Sequence, residues 1–356
     1  MKLIDIITNQ NFLAAVFATI FVIMLSFFLR RKNILKENAK SVISSLVLKL
    51  GLPAMAFSAF MTDLNTNEFK SNMQVLILGI CLYLFLIVGS FLILKLASKK
   101  LEKSRRDVLS MIVIFGNCTF FSSPIIEGFY GDAIKIPEYL MIVAFRLFLY
   151  TYAFFVMSDT QIDKHHIFKS IKKFALNPIV IATFLGILIW SLQNVLPHVN
   201  ITNELGEEIS VCIFRIDQTL PFIYKTVSYI SRMTTPLSWI LVGVTIGEMP
   251  FKNAIKNVSV WLASLLRTVL VPAIIFGLVL LLQYLNVIQL TKYGFAACVL
   301  TLSAPLSVVI NSYAVEYNKD QYFVSDVSLI STIIAMISMP LMLIFVELVS
   351  ATSLFS

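Results

Sequence analysis

The sequence predicts an all-α membrane protein of ten transmembrane helices, set as two five-helix halves that enter the bilayer in opposite orientations. Three observations predict it. Apolar residues gather in successive stretches of roughly 20, the length that spans a bilayer. Basic residues lie between these stretches with a bias to one side. The fourth stretch of each half is polar and interrupted by proline at its centre.

Composition supports the membrane reading. Of 356 residues, 58% are hydrophobic and 13% charged, and the mean hydropathy is +0.87. A soluble domain is nearer about half apolar and a quarter charged. The formal net charge of +8 resides in loops, not in a basic domain, so nucleic acid is not an expected partner. Among the four cysteines, Cys81, Cys118 and Cys298 fall in apolar stretches and Cys212 in a loop. No pair has metal-ligand spacing, so neither a disulfide framework nor a metal site is expected. The three in spans read as small apolar residues. The N-terminus lacks a basic region ahead of its apolar run, so no cleavable signal peptide is expected.

In chain order the spans are Phe12–Leu29, Val42–Met61, Met73–Leu96, Val108–Tyr130 and Pro137–Met157, then Leu176–Leu196, Thr235–Met249, Val258–Leu285, Tyr293–Val315 and Phe323–Val349. With the N-terminus outside, the inner loops hold 18 of the 28 Lys and Arg residues and the outer loops seven. Both termini are therefore expected outside. Lys49, Arg146 and Arg267 remain within spans. The acidic segment Pro197–Leu220 reads as a solvated outer loop. Leu220–Met233 reads either as an interfacial amphipathic helix or as a helical lead into the seventh span. A basic loop, 159–175, separates a first half (1–158) from a second (176–356). Five spans per half force the second half to enter upside down; if the halves are repeats, they are inverted ones.

The fourth span carries Gly116, Asn117, Cys118, Thr119, Ser122, Ser123 and Pro124 at its middle. The ninth carries Thr301, Ser303, Ala304, Pro305, Ser307 and Asn311. Proline lacks an N–H and crowds the carbonyl four residues back, so a helix kinks or breaks there. Freed backbone groups survive in a membrane only where protein or water meets them. Such spans at matching positions of two halves point to a transport site. Unwinding at Pro124 and Pro305 is expected to leave half-helix N-termini near mid-membrane, where their N–H groups attract an anion. Asn117 and Asn311 bring donors and acceptors. The plain alternative is two ordinary kinks mended by Ser and Thr.

At these residues the chain resembles the auxin efflux carrier family, which includes plant auxin carriers and bacterial malate and malonate permeases. Gly116-Asn117-Cys118-Thr119 with Ser123-Pro124 is similar to the family's fourth-span pattern. Ala304-Pro305 with Ala314-Val315-Glu316-Tyr317 is similar to its ninth. Pro53-Ala54 with Phe57, Pro236-Leu237 with Leu241-Val242-Gly243, and Ser331 with Pro340 resemble the second, seventh and tenth. Serine stands at 123 where the family has glycine, and Val308 where bacterial relatives often have asparagine. The resemblance implies two inverted five-helix repeats, broken fourth and ninth helices that cross near their prolines, and a carboxylate bound beside the crossing. It implicates Asn117, Pro124 and Pro305.

Charge within the spans adds candidates. Arg146, mid-span, is either a bidentate donor to an anionic substrate or half of a structural pair. Lys49 and Arg267 read as snorkelling toward the cytoplasmic end. Glu127 either complements the positive end of the helix after Pro124 or carries a coupling proton. The candidate substrate-binding set is thus Asn117, Thr119, Ser123, Pro124, Arg146, Pro305, Ser307 and Asn311, with Glu127 for coupling.

No nucleophile with a base and no phosphate-cradling loop appears, and His165, His166 and His198 read as solvated. The expectation is a carrier and not an enzyme, without cofactor or metal. Its expected partners are a small organic anion such as malate, malonate or an auxin-like acid, the lipid bilayer, and a second copy as a homodimer. The expected location is the plasma membrane. A sodium-coupled symporter of the bile-acid type needs a cage of carboxylates, and only Glu127 offers one. A non-transporting sensor leaves the broken spans unexplained.

Overall fold

The computed structural model describes residues 10–64, 66–97, 102–158, 172, 175–202, 208–248 and 251–355. Each predicted apolar stretch is largely helical within it, the fourth and ninth with an interruption. The first half contains α1 (Gln10–Arg31), α2 (Ala39–Ser58), α3 (Thr66–Ala97), α4 (Lys103–Ile114), α5 (Ser123–Tyr130) and α6 (Lys135–Phe148). The second contains α7 (Pro178–Leu192), strands β1 (His198–Thr202) and β2 (Glu208–Cys212), then α8 (Pro221–Glu248), α9 (Val258–Tyr284), α10 (Lys292–Leu302), α11 (Val308–Glu316) and α12 (Gln321–Ser350). Five described helical stretches are long and apolar enough to cross a membrane: Ala39–Ser58, Phe69–Leu94, Cys118–Ser158, Val258–Tyr284 and Gln321–Ser350.

Local chemistry sets the helix ends. Arg30 and Arg31 in the last turn of α1 complement its negative end, and Asn33, with φ 60°, turns the chain out of the helix. Asn177 accepts from Ile179 N at 3.0 Å, with Pro178 pre-shaped at the first helical position of α7. Asn257 and Thr291 cap the starts of α9 and α10 in the same way, through Ser259 N at 3.0 Å and Gly294 N at 3.2 Å.

Three π turns have a shared cause. Val47–Gly51, Cys118–Ser122 and Leu266–Leu270 each lead into a helical segment whose second residue is proline: Pro53, Pro124 and Pro272. A proline ring crowds the carbonyl four residues earlier. A wider π turn moves that carbonyl aside without ending the helix.

The helices pack as two groups. In one, α8 lies along α1 and against α2, and α2 packs on α7. In the other, α3 packs on α4 and α6, while α10 packs on α3, α6, α9 and α12; α11 joins through α12. Between the groups, α5 and its leading π turn touch α1 and α8, and α6 touches α7. Gly243 lets α8 approach α1: an added Cβ would overlap the Ile23 carbonyl and the Ser26 hydroxyl.

The structure decides between the two readings of Leu220–Met233 and corrects other expectations. Leu220–Met233 is not a separate interfacial helix; it belongs almost wholly to the continuous 28-residue α8, which runs through Pro236. Burial against α1 and α2 supplies the packing that outweighs one lost backbone bond. The segment Pro197–Leu220 is not merely a solvated loop, because β1 and β2 form an antiparallel hairpin with Val199 opposite Val211 and Ile201 opposite Ile209. Arg215 behind it is buried, donating to both oxygens of Asp217 at 2.9 and 2.7 Å, to Asp63 at 2.7 Å and to Gln193 at 3.0 Å. Cys212 lies buried on β2, whereas Cys81 is exposed. Further corrections, at Arg267 and Pro124, belong to the site. The connecting loop 159–175, with His165 and His166, lies outside the described residues except for 172 and 175, as do Glu204 and Glu207.

Candidate functional site

The fourth and ninth spans are both broken, and their breaks meet. Helix α4 ends at Ile114, Phe115 is extended, and the helical path resumes with the π turn at Cys118. Helix α10 ends at Leu302, and α11 starts at Val308 with Ser307 as its cap, accepting from Val309 N at 3.3 Å. The two unwound segments pair like strands. Gly116 bridges Leu306 in antiparallel fashion. Asn117 N donates to Pro305 O at 2.6 Å, and Ser307 N donates to Phe115 O at 3.1 Å. Leu306 N donates to the Ser331 hydroxyl on α12 at 3.2 Å. The backbone groups released by the breaks thus satisfy one another, as burial requires.

Pro305 sits in its break as expected. Pro124 does not: it lies in the first turn of α5, seven residues past Asn117, and the unwinding is at Phe115–Asn117. The π turn absorbs the proline, and Gly116 supplies the close approach on which the break depends.

The site residues separate into two sets. Asn117, Thr119, Arg146 and Ser307 line one small cavity of about 30 Å3, together with Leu48 and Ile179 of the opposite helix group. That is space for about one or two waters. Asn117 also lines a second cavity of about 20 Å3 with Thr245 of α8 and Ser328 and Thr332 of α12. Asn117 therefore stands between the two helix groups at the crossing. Ser123 and Pro124 line neither cavity; Ser123 donates to Glu127 at 3.4 Å. Asn311 lies one turn into α11, also outside both cavities, with its carbonyl oxygen buried and unbonded among the described residues.

Arg146 is 3% exposed, and both of its terminal nitrogens lack a hydrogen-bond partner among the described residues. A buried guanidinium without a counter-ion is costly. The helical segments that begin at Cys118 and Val308 add their positive N-terminal ends to the same space. The arrangement is suited to an anion: a fork of donors, two helix ends and the Asn117 amide.

Two residues escaped the sequence reading. Arg267 does not snorkel; it is fully buried at the crossing, bonded to carbonyls of both broken helices. Its signal was depth, because eight residues separate it from Val258, the start of α9. Glu138, at the start of the fifth span, was not singled out. It is fully buried beside Glu127, and neither of its oxygens has a hydrogen-bond partner among the described residues. Lys49 is exposed.

A larger cleft of about 240 Å3 opens between the helix groups near the ends of α2 and α5. Asp63, Trp190 and Tyr224 line one side, and Asn72, Asp132 and Lys135 the other. Lys135 pairs with Asp132 at 2.6 Å. Among the described residues no cluster of His, Cys, Asp and Glu has the makings of a metal site.

Compared with known proteins, the chain matches the model of a family described as membrane transport protein over residues 11–343. No curated protein matches it.

Proposed function

We propose that this chain, which belongs to the auxin efflux carrier / membrane transport family, carries small organic anions by alternating access. Membership makes it a multi-pass membrane transporter and not an enzyme. The finer reading rests on one observation: a buried, unpartnered Arg146 shares a cavity with Asn117 and the starts of two half-helices. A carboxylate there satisfies the guanidinium in bidentate fashion and complements both helix ends.

In this reading the chain is two inverted five-helix repeats in the plasma membrane with both termini outside. The packing groups support a division of labour. Each draws its first two spans or its last three spans from both halves, so one group moves against the other around the crossing. The cleft by Asp63 and Lys135 is the outer approach, and the small cavities at Asn117 belong to a closed state. Glu127 carries a coupling proton if the carrier is proton-linked, with Glu138 beside it. A homodimer is a further proposed assembly.

The test is flux of labelled mono- and dicarboxylates in proteoliposomes. Asn117→Ala is expected to abolish flux while the protein still elutes as a folded species. Full flux by this variant defeats the site assignment.

A further inference from the structure

Arg267 is charged, very large and 0% exposed, yet the transport reading gives it no substrate to hold. It enters the crossing from the π turn Leu266–Leu270 of α9. Its Nε donates to Ala304 O at 3.0 Å, one terminal nitrogen to Val113 O at 2.9 Å and the other to Leu302 O at 3.0 Å. Val113 is in the last turn of α4. Leu302 closes α10, and Ala304 lies in the break beyond it.

The last carbonyls of any helix lack partners within the helix. Deep in a membrane water does not reach them, so protein must. One planar guanidinium serves three carbonyls on two helices at once, and its charge complements both negative helix ends. An ammonium is a point donor on a flexible stem and lacks the rigid fork for this task. Gly116 supplies independent support. An added Cβ there would overlap the Arg267 terminal nitrogen and lie 2.9 Å from Ala304 Cβ. The glycine is the floor on which the guanidinium lies.

The geometry points to Arg267 as the positioning residue of the crossing. It ties the C-terminal ends of α4 and α10 together, so that the opposed starts of the next half-helices converge on the Arg146 cavity. The two buried arginines thus divide the work: Arg267 grips carbonyls at the negative ends, and Arg146 faces the positive ends with its fork open. This inference rests on the Arg146 cavity being the anion site, but its main test does not.

That test is amide hydrogen exchange by mass spectrometry on the purified full chain. The wild type is expected to protect the amides of Asn117 and Ser307 strongly. In Arg267→Lys and Arg267→Met they exchange roughly 10- to 100-fold faster, since bonds to a charged donor are lost, while α1 and α8 keep their wild-type rates. Gly116→Ala gives the same pattern with the charge retained. Unchanged exchange at the crossing overturns the proposal, as does uniform acceleration across all helices, which marks a general structural role. If Arg267→Met does not fold, Arg267→Lys and the wild-type protection decide. In vesicles Arg267→Lys raises the half-saturating carboxylate concentration about tenfold with a smaller change in maximal rate. An unaltered half-saturation also counts against it. A wild type without carboxylate flux defeats the carrier reading and leaves Arg267 to be judged on exchange.

Discussion

Arg146→Met should make the empty protein more stable and the loaded protein weaker. Methionine keeps most of the side-chain length and removes the charge. In the wild type the guanidinium is 3% exposed, and its terminal nitrogens have no partner among the described residues. An ion held inside a protein carries an effective penalty of several kcal/mol. The neighbouring helix starts increase it, because their ends are positive too. Lifting that penalty is expected to stabilise the unliganded fold by on the order of 1–4 kcal/mol. The same change removes the charge-assisted bonds to a carboxylate, worth about 1.5–3 kcal/mol. Affinity then falls roughly 10- to 150-fold, at 1.4 kcal/mol per factor of ten. Thermal unfolding of the purified protein, with and without carboxylates, reads both effects, since a ligand of the native state raises its apparent stability. The variant should melt higher than wild type when empty and lose the ligand-induced rise. A variant that melts well below wild type when empty shows a structural partner for Arg146. A full ligand-induced rise in the variant refutes the assigned role in binding.

Other outcomes follow from the same geometry. Gly243→Ala pushes a methyl into the Ile23 carbonyl and Ser26 hydroxyl; it should destabilise by about 1–3 kcal/mol, seen as a lower melting temperature, with half-saturation unchanged in the protein that folds. Glu127→Gln and Glu138→Gln should lose any stimulation of flux by an imposed pH gradient yet keep flux down a substrate gradient; persistence of the pH effect in both removes them from coupling. Exchanging sodium for potassium on both sides should leave flux unaltered, and a sodium requirement would instead favour a symporter.

The helices were largely legible in the sequence because spanning a bilayer demands long apolar runs, and few charges interrupt them. The two breaks were legible as polar clusters, and so was the presence of Asn117 in one of them. Their mechanics were not. Proline drew attention to position 124, but a π turn disposes of that proline, and the true break is at Gly116, whose need for space arises from Arg267, about 150 residues away in the chain. Pairing of Asn117 with Pro305 and of Ser307 with Phe115 is a long-range fact that no local pattern encodes. Arg267 was misread and Glu138 passed over for a shared reason. Near a span end, sequence cannot distinguish a charge that reaches for water from one that turns inward. The hairpin of β1 and β2 was hidden because its alternating Val and Ile sit within a short polar segment.

The most direct test of the central claim is a structure of the protein soaked with a brominated carboxylate, with the bromine located by its anomalous signal. The account predicts a carboxylate within hydrogen-bond distance of the Arg146 guanidinium and the Asn117 amide, and bromine in the adjoining space between the two helix groups. An anion found only in the Asp63–Lys135 cleft, with Arg146 still unpaired beside the crossing, contradicts it.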